Sequence, residues 1–173
     1  IMINPSASNE IIGKAVYRRT LVLSTSARLL CGYIYVSSGS GESTQDLVYS
    51  GHCIIAENGT SLAENKPFEE KELTVTEIDV KKLAYERHKN TSFEPVTDVT
   101  FVKFNQEIRK TEITRPIDKA PFVPSDKAAL SSRAEAILRI QSYGLKKRLE
   151  HTRAKTAVIG VSGGLDSTLA LLV

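Results

Sequence analysis

The chain has 173 residues, 41% of them hydrophobic, and its 23 lysines and arginines exceed 20 acidic residues for a net charge of +3. That is enough to bury a core, but the charge is too mild to argue for a nucleic acid or an anionic membrane, and no apolar run approaches the ~20 residues a membrane span needs. The two cysteines, Cys31 and Cys53, have neither metal nor redox spacing; so sparing a use points to a reducing, cytoplasmic setting.

In chain order, residues 1–5 read as a strand. Residues 9 to about 30 read as a helix, because Ile12, Val16, Leu23, Ala27 and Leu30 recur at three- to four-residue steps with Lys14, Arg18, Arg19 and Arg28 among them. β-Rich runs follow at 33–36, 47–49 and 52–56, with a Ser-Gly loop at 37–45. Asn58 and Gly59 form a hairpin-turn signal ahead of a strand at 60–63. A strand is expected at 73–76 and a short helix at 80–87. Strands flanked by helix imply an α/β layered domain over 1–89.

Regular signals fade over 90–124, where Pro95, Pro116, Pro121 and Pro124 fall among alternating charges, so this stretch reads as an interdomain linker. A second domain then starts over 125–173. Ser125 and Asp126 cap a long helix with Leu130, Ala134, Ile137, Leu138, Leu145 and Leu149 at helical spacing and Gly144 as a soft point. Lys146, Lys147, Arg148, His151, Arg153 and Lys155 gather near its C-terminal end. The helix dipole favours cations there, so they read as solvated charge rather than a nucleic-acid surface.

An apolar strand at 157–161 then runs into Ser162, Gly163, Gly164, Leu165, Asp166 and Ser167, followed by a helix to residue 173. Adjacent glycines let backbone N–H groups approach an anion, two serine hydroxyls add donors, and the helix turns its positive end to the same spot. The pattern is a phosphate cradle. It lacks the lysine of G-x-x-x-x-G-K-S/T, and the spacing of Gly160, Gly163 and Gly164 does not match G-x-G-x-x-G. S-G-G-L-D-S does resemble the PP-loop of the ATP pyrophosphatases. That resemblance implies ATP on Gly160, Val161, Ser162, Gly163, Gly164, Leu165, Asp166 and Ser167. A carboxylate beside phosphates makes sense mainly as a Mg²⁺ ligand, so Asp166 is the expected metal residue; its plainer role would be a helix cap or first-turn acid.

Further upstream, the run Asn4-Pro5-Ser6-Ala7-Ser8-Asn9-Glu10-Ile11-Ile12-Gly13-Lys14 with Tyr17-Arg18-Arg19 resembles the glutaminase domain of bacterial glutamine-dependent NAD synthetases, a nitrilase-superfamily domain. Collinear matches at Gly32-Tyr33-Ile34-Tyr35, Gly39-Ser40-Gly41-Glu42-Ser43-Thr44, Ser50-Gly51-His52, Ala56-Glu57-Asn58-Gly59 and Pro121-Phe122-Val123-Pro124 extend it to the cradle. The resemblance implies an α/β chain: the C-terminal half of an αββα nitrilase-like sandwich, a linker, and the first helix-strand-loop-helix of a Rossmann-like PP-loop domain. Glutamine would be hydrolysed in the first domain, and ammonia would amidate ATP-activated nicotinic acid adenine dinucleotide in the second.

The same resemblance maps glutamine contacts to Ser8, through its hydroxyl, and to Lys14, through its charge, and places the Cys-Glu-Lys triad before residue 1. Cys31 and Cys53 therefore carry no catalytic expectation, and His52, His88 and His151, lacking a partner pattern, are assigned no role. ATP, Mg²⁺, small-molecule substrates and a homo-oligomer are the implied partners. Because both ends are apolar and cut into expected elements, an internal piece of a longer polypeptide is expected. The rival readings are another glutamine- or ammonia-using PP-loop ATP pyrophosphatase, and a non-catalytic nitrilase-like assembly module.

Overall fold

The computed structural model describes residues 1–39, 41–42, 47–69, 73–94, 96–105, 107, 109, 111–120 and 122–173. The chain divides into two compact units, Ile1–Arg115 and Pro116–Val173. The fold class is α/β, with a mixed four-stranded sheet.

In the first unit, β1 (Met2–Ser6) is followed by α1 (Lys14–Leu29), β2 (Gly32–Ser37), β3 (Cys53–Glu57), β4 (Thr60–Glu64) and α2 (Val80–Lys89). The sheet order is β1-β2-β3-β4. β1 and β2 pair in parallel, Met2 opposite Tyr33, which a chain can do only with a crossover between them, here α1. β3 and β4 form the antiparallel hairpin expected at Asn58 and Gly59, with both turn residues at positive φ, 45° and 82°. Such a turn matches the right-handed twist of the strands it joins.

The core is small: Val22 of α1 against Tyr35, Ile54 and Ala56 of the sheet, with Leu23 and Tyr33 packed beside them. Complete burial of Ile54 contributes ~2 kcal/mol. The turn also packs on α1. A Cβ at Gly59 would lie 2.9 Å from the Ala27 Cβ, and the Gly59 N–H donates to the Ser26 hydroxyl at 3.2 Å, which itself donates to the Cys31 carbonyl at 2.7 Å.

Three expectations for the first unit need correction. The first helix starts at Lys14 rather than residue 9, because Gly13 stands at its N-cap with φ 84° and no side-chain cap. Ile12 therefore lies ahead of the helix, and the face turned inward is Arg18, Val22 and Ser26 instead of Val16 and Ala27, which are exposed. Residues 47–49 are not a strand: the Val48 carbonyl accepts from the Glu10 N–H of the β1–α1 loop at 2.7 Å. Residues 73–76 are not a strand either, since no described strand pairs with them and Leu73 and Val75 face solvent.

Among the described residues no helix or strand lies between α2 and residue 126. Near its end this stretch is tied down by carboxylates. Buried Glu57 accepts from Arg115 Nη2 at 2.9 and 3.1 Å and from the Asp79 N–H at 2.7 Å, while Glu77 accepts from the Thr114 hydroxyl and the Arg115 N–H. The Thr114 hydroxyl and N–H hold the Glu77 carboxyl below the usual carboxylate range.

In the second unit, α3 (Lys127–Thr152) begins where expected, with the Asp126 carboxylate accepting from the Ala129 N–H at 2.7 Å, and runs unbroken through Gly144. It ends at Arg153, in the left-handed conformation. α4 (Leu165–Leu172) follows the glycine pair. The expected strand at 157–161 is not formed, because a strand exists through its ladder and no described residue pairs with this one. No described helix is long and apolar enough to cross a membrane.

Candidate functional site

The residues expected to carry chemistry fall in two places. The first lies beyond the carboxyl ends of the parallel pair β1 and β2, where open α/β sheets bind ligands. The Ser38 N–H donates to the Ser6 carbonyl at 2.9 Å and the Gly51 N–H to the Ser38 carbonyl at 2.9 Å, so the β1–α1 and β2–β3 connections leave the sheet side by side. Ser6, Ala7, Ser37, Ser38 and Glu42 line a hollow of about 440 Å³ there. The Ser37 hydroxyl is buried with no partner among the described residues. Ser40, Ser43 and Thr44 of the Gly39–Thr44 motif lie outside the described residues, as does Pro121.

Ser8 and Lys14 sit at the two ends of the segment that leads into α1, both half-buried. Ser8 does not cap the helix, which starts six residues later. The Lys14 ammonium donates to the Asn9 carbonyl at 2.6 Å and to Asn9 Oδ1 at 3.1 Å. An ammonium has three donors, and the contacts among the described residues are to these two Asn9 oxygens.

Beneath this segment runs a polar chain, buried at Arg18, Ser50 and His52 and exposed at Arg19, that spacing in the sequence does not reveal. Glu10 Oε2 accepts from the Ser50 hydroxyl at 2.5 Å and from Arg18 Nη2 at 2.8 Å. Arg18 Nη1 lies 2.9 Å from His52 Nδ1, and His52 Nε2 lies 3.1 Å from Glu64 Oε1. Arg19 closes the chain on Glu64 at 2.8 Å, and the Arg18 guanidinium lies over the Tyr35 ring at 5.6 Å. Because arginine can only donate, His52 Nδ1 must be the acceptor, which leaves the imidazole neutral with its proton on Nε2, donated to Glu64. Burial works against charge on Glu10 and Glu64. It is outweighed on Glu10 by the Ser50 hydroxyl and the Arg18 guanidinium, and on Glu64 by Arg19 and His52, so both carboxyls lie below their ordinary range. His52, 2% exposed, was expected to have no role and is the hub of this chain. Its partners stand 34 residues before and 12 residues after it, beyond the reach of any local motif.

The cysteines lie apart from this arrangement. Burial pushes the Cys31 thiol up, and half-buried Cys53 donates weakly to the Gly51 carbonyl at 3.5 Å.

The second place is the loop ahead of α4. Gly160, Val161, Ser162, Gly163, Gly164, Leu165 and Asp166 are exposed and Ser167 is half-buried. Gly163 takes φ 82°, which only glycine adopts readily, and the loop folds over itself: the Ser162 N–H donates to Ser167 Oγ at 3.2 Å, the two serine oxygens lie 3.2 Å apart, and Ser167 Oγ donates to the Gly164 carbonyl at 3.0 Å. The first intrahelical bond is from Thr168 to Gly164, so the N–H groups of the opening turn remain available to an anion. These donors suit polyphosphate.

Asp166 is not the cap. Gly164 holds the N-cap position without a side-chain bond, and Asp166 stands in the first turn, lining a shallow hollow with Gln141, Leu145, Leu169, Ala170 and Val173. The described residues contain no group of three or more metal-binding side chains. Asp166 is the one carboxylate within residues 160–167.

Across its whole length the chain is 37% identical to a glutamine-dependent NAD(+) synthetase of Mycobacterium leprae (strain TN), an alignment of 185 residues that covers 27% of that protein. Glutamine-dependent NAD(+) synthetases of Mycobacterium bovis and Mycobacterium tuberculosis are 36% identical over the same shares. A crystal structure of a glutamine-dependent NAD(+) synthetase from Cytophaga hutchinsonii aligns at 30% identity and a TM-score of 0.39, over 42% of this chain and 13% of that one. No family model matches the chain. From its first strand to its last helix, the chain is therefore similar to one segment of the mycobacterial glutamine-dependent NAD(+) synthetases, 27% of their length.

Proposed function

We propose that the chain is part of a glutamine-dependent NAD synthetase. It carries the C-terminal half of a nitrilase-like sandwich over 1–89, a linker over 90–124, and the opening of a PP-loop ATP pyrophosphatase domain over 125–173. The observation that carries this reading is the identity of 36–37% along the full chain with proteins of that name, a stretch that includes both candidate sites. The names of these relatives favour it over other PP-loop enzymes and over a non-catalytic assembly module.

In this reading glutamine is held by the Ser8 hydroxyl and the Lys14 ammonium, and is hydrolysed by a Cys-Glu-Lys triad outside residues 1–173. The ammonia is used on nicotinic acid adenine dinucleotide. A carboxylate is a poor electrophile, so it first attacks the α-phosphorus of ATP and expels pyrophosphate; ammonia then attacks the acyl carbon and AMP leaves, giving the amide. Ser162, Ser167 and the N–H groups around Gly163 and Gly164 offset charge that grows on the departing pyrophosphate. Magnesium bound with ATP would neutralise phosphate charge, and Asp166 would provide its carboxylate ligand. A homo-oligomer in the cytoplasm is the expected setting.

The test is ATP-dependent conversion of nicotinic acid adenine dinucleotide to NAD by the full-length protein, with glutamine or with ammonia as nitrogen source. Product with both is expected. No product from either refutes the synthetase, and product from ammonia alone refutes the glutaminase half.

A further inference from the structure

We propose that Glu10, Arg18 and His52 are positioning residues that set the glutamine-binding segment at Ser8 and Lys14, an inference that rests on the glutaminase reading above. Glu10 lies two residues after Ser8 and four before Lys14, and it is anchored twice. Its N–H donates to the Val48 carbonyl, and its carboxylate, 8% exposed, receives Ser50 and Arg18. Arg18, 5% exposed, passes the tie to His52, and His52 passes it to Glu64. Four segments are thereby held together: the β1–α1 loop, α1, the β2–β3 connection and β4.

Stability alone is a poor reason for such a chain. A buried ion pair roughly breaks even against apolar residues of the same size, and α1 could pack on Tyr35 and Ile54 more cheaply with a leucine at position 18. What the chain supplies is register. Apolar contacts tolerate a sliding helix, whereas a carboxylate, a guanidinium and an imidazole joined end to end at 2.8 and 2.9 Å do not.

His52 is faced by Arg18 from α1 and Glu64 from β4, and the Tyr35 ring of β2 lies under the Arg18 guanidinium. Glutamine at position 52 carries an acceptor oxygen and a donor nitrogen, so it can keep both links.

The experiment measures KM and kcat for glutamine hydrolysis by the full-length protein, with ammonia-dependent NAD formation as an internal control. Glu10→Ala and His52→Ala should raise KM for glutamine about tenfold with a smaller change in kcat, ammonia-dependent synthesis staying near wild type. His52→Gln, which keeps an acceptor and a donor, should restore KM. Unchanged KM in both alanine variants overturns the proposal, as does a KM in His52→Gln as high as that of His52→Ala. Should Glu10→Ala lose ammonia-dependent synthesis as well, Glu10→Gln, which keeps one acceptor oxygen, decides: an intermediate KM supports the proposal and parallel loss of both activities overturns it. Absence of glutamine hydrolysis in the wild type would instead refute the glutaminase reading itself, and the proposal with it.

Discussion

Glu10 shows how a single side chain acquires a meaning that its neighbours in the chain do not convey. Between Asn9 and Ile11 it reads as one more polar loop residue, yet its carboxylate is buried against Ser50 and Arg18. Its carboxyl is held below the ordinary range in the folded protein, so the stability it contributes is complete above the unfolded value of about 4.3 and is lost as pH falls below that. The thermal midpoint of the wild type should therefore fall more steeply on acidification below about pH 4.5 than that of Glu10→Gln. Parallel curves for the two proteins would show that the Glu10 contacts contribute nothing to stability. His52 is legible only at this scale too: no pattern of spacing marks it, and the accepting role of its Nδ1 follows from an arginine supplied by another element.

At the scale of elements, local chemistry was most informative where it is self-sufficient. The Asn58-Gly59 turn, the Asp126 cap and the glycines before α4 each depend on a few consecutive residues, and each lies where expected. Errors arose where an element depends on a partner. The stretches at 47–49, 73–76 and 157–161 have strand-like composition, but a strand needs a ladder and none of them pairs. The inward face of α1 was misjudged for a related reason, since Arg18 and Ser26 are buried by what they bond to rather than by being apolar. The hairpin and α1 meet at Gly59, where a side chain would collide with Ala27 and would have to accept φ 82°. Gly59→Val should cost about 1–3 kcal/mol, read from the urea midpoint. A loss below 0.5 kcal/mol would mean that the hairpin can move off the helix.

For the molecule as a whole, the two candidate sites differ in completeness. The first is framed by strand ends, a polar chain and the Ser8 and Lys14 segment; the second is an exposed cradle with one carboxylate. They are expected to fail separately. Asp166→Asn in the full-length protein should lower NAD formation from glutamine and from ammonia alike, by about a hundredfold, while glutamine hydrolysis remains measurable by glutamate release. Normal NAD formation in that variant would remove Asp166 from any role toward Mg²⁺.

Sequence alone determined the motifs on which the proposed chemistry rests. A Ser-Gly-Gly-Leu-Asp-Ser loop ahead of a helix and the motif run from Asn4 to Lys14 depend on residue type and order, and both are read directly from the chain. It also located the Asn58-Gly59 turn and the Asp126 cap, because their hydrogen bonds close within four residues. Tertiary structure alone decided which runs become strands, which face of α1 turns inward, and that Glu10, Arg18, His52 and Glu64 form one chain. The physical reason is common to all three: ladders, burial and ion pairs are made between residues far apart in sequence, and no side chain carries a record of the partner it will meet.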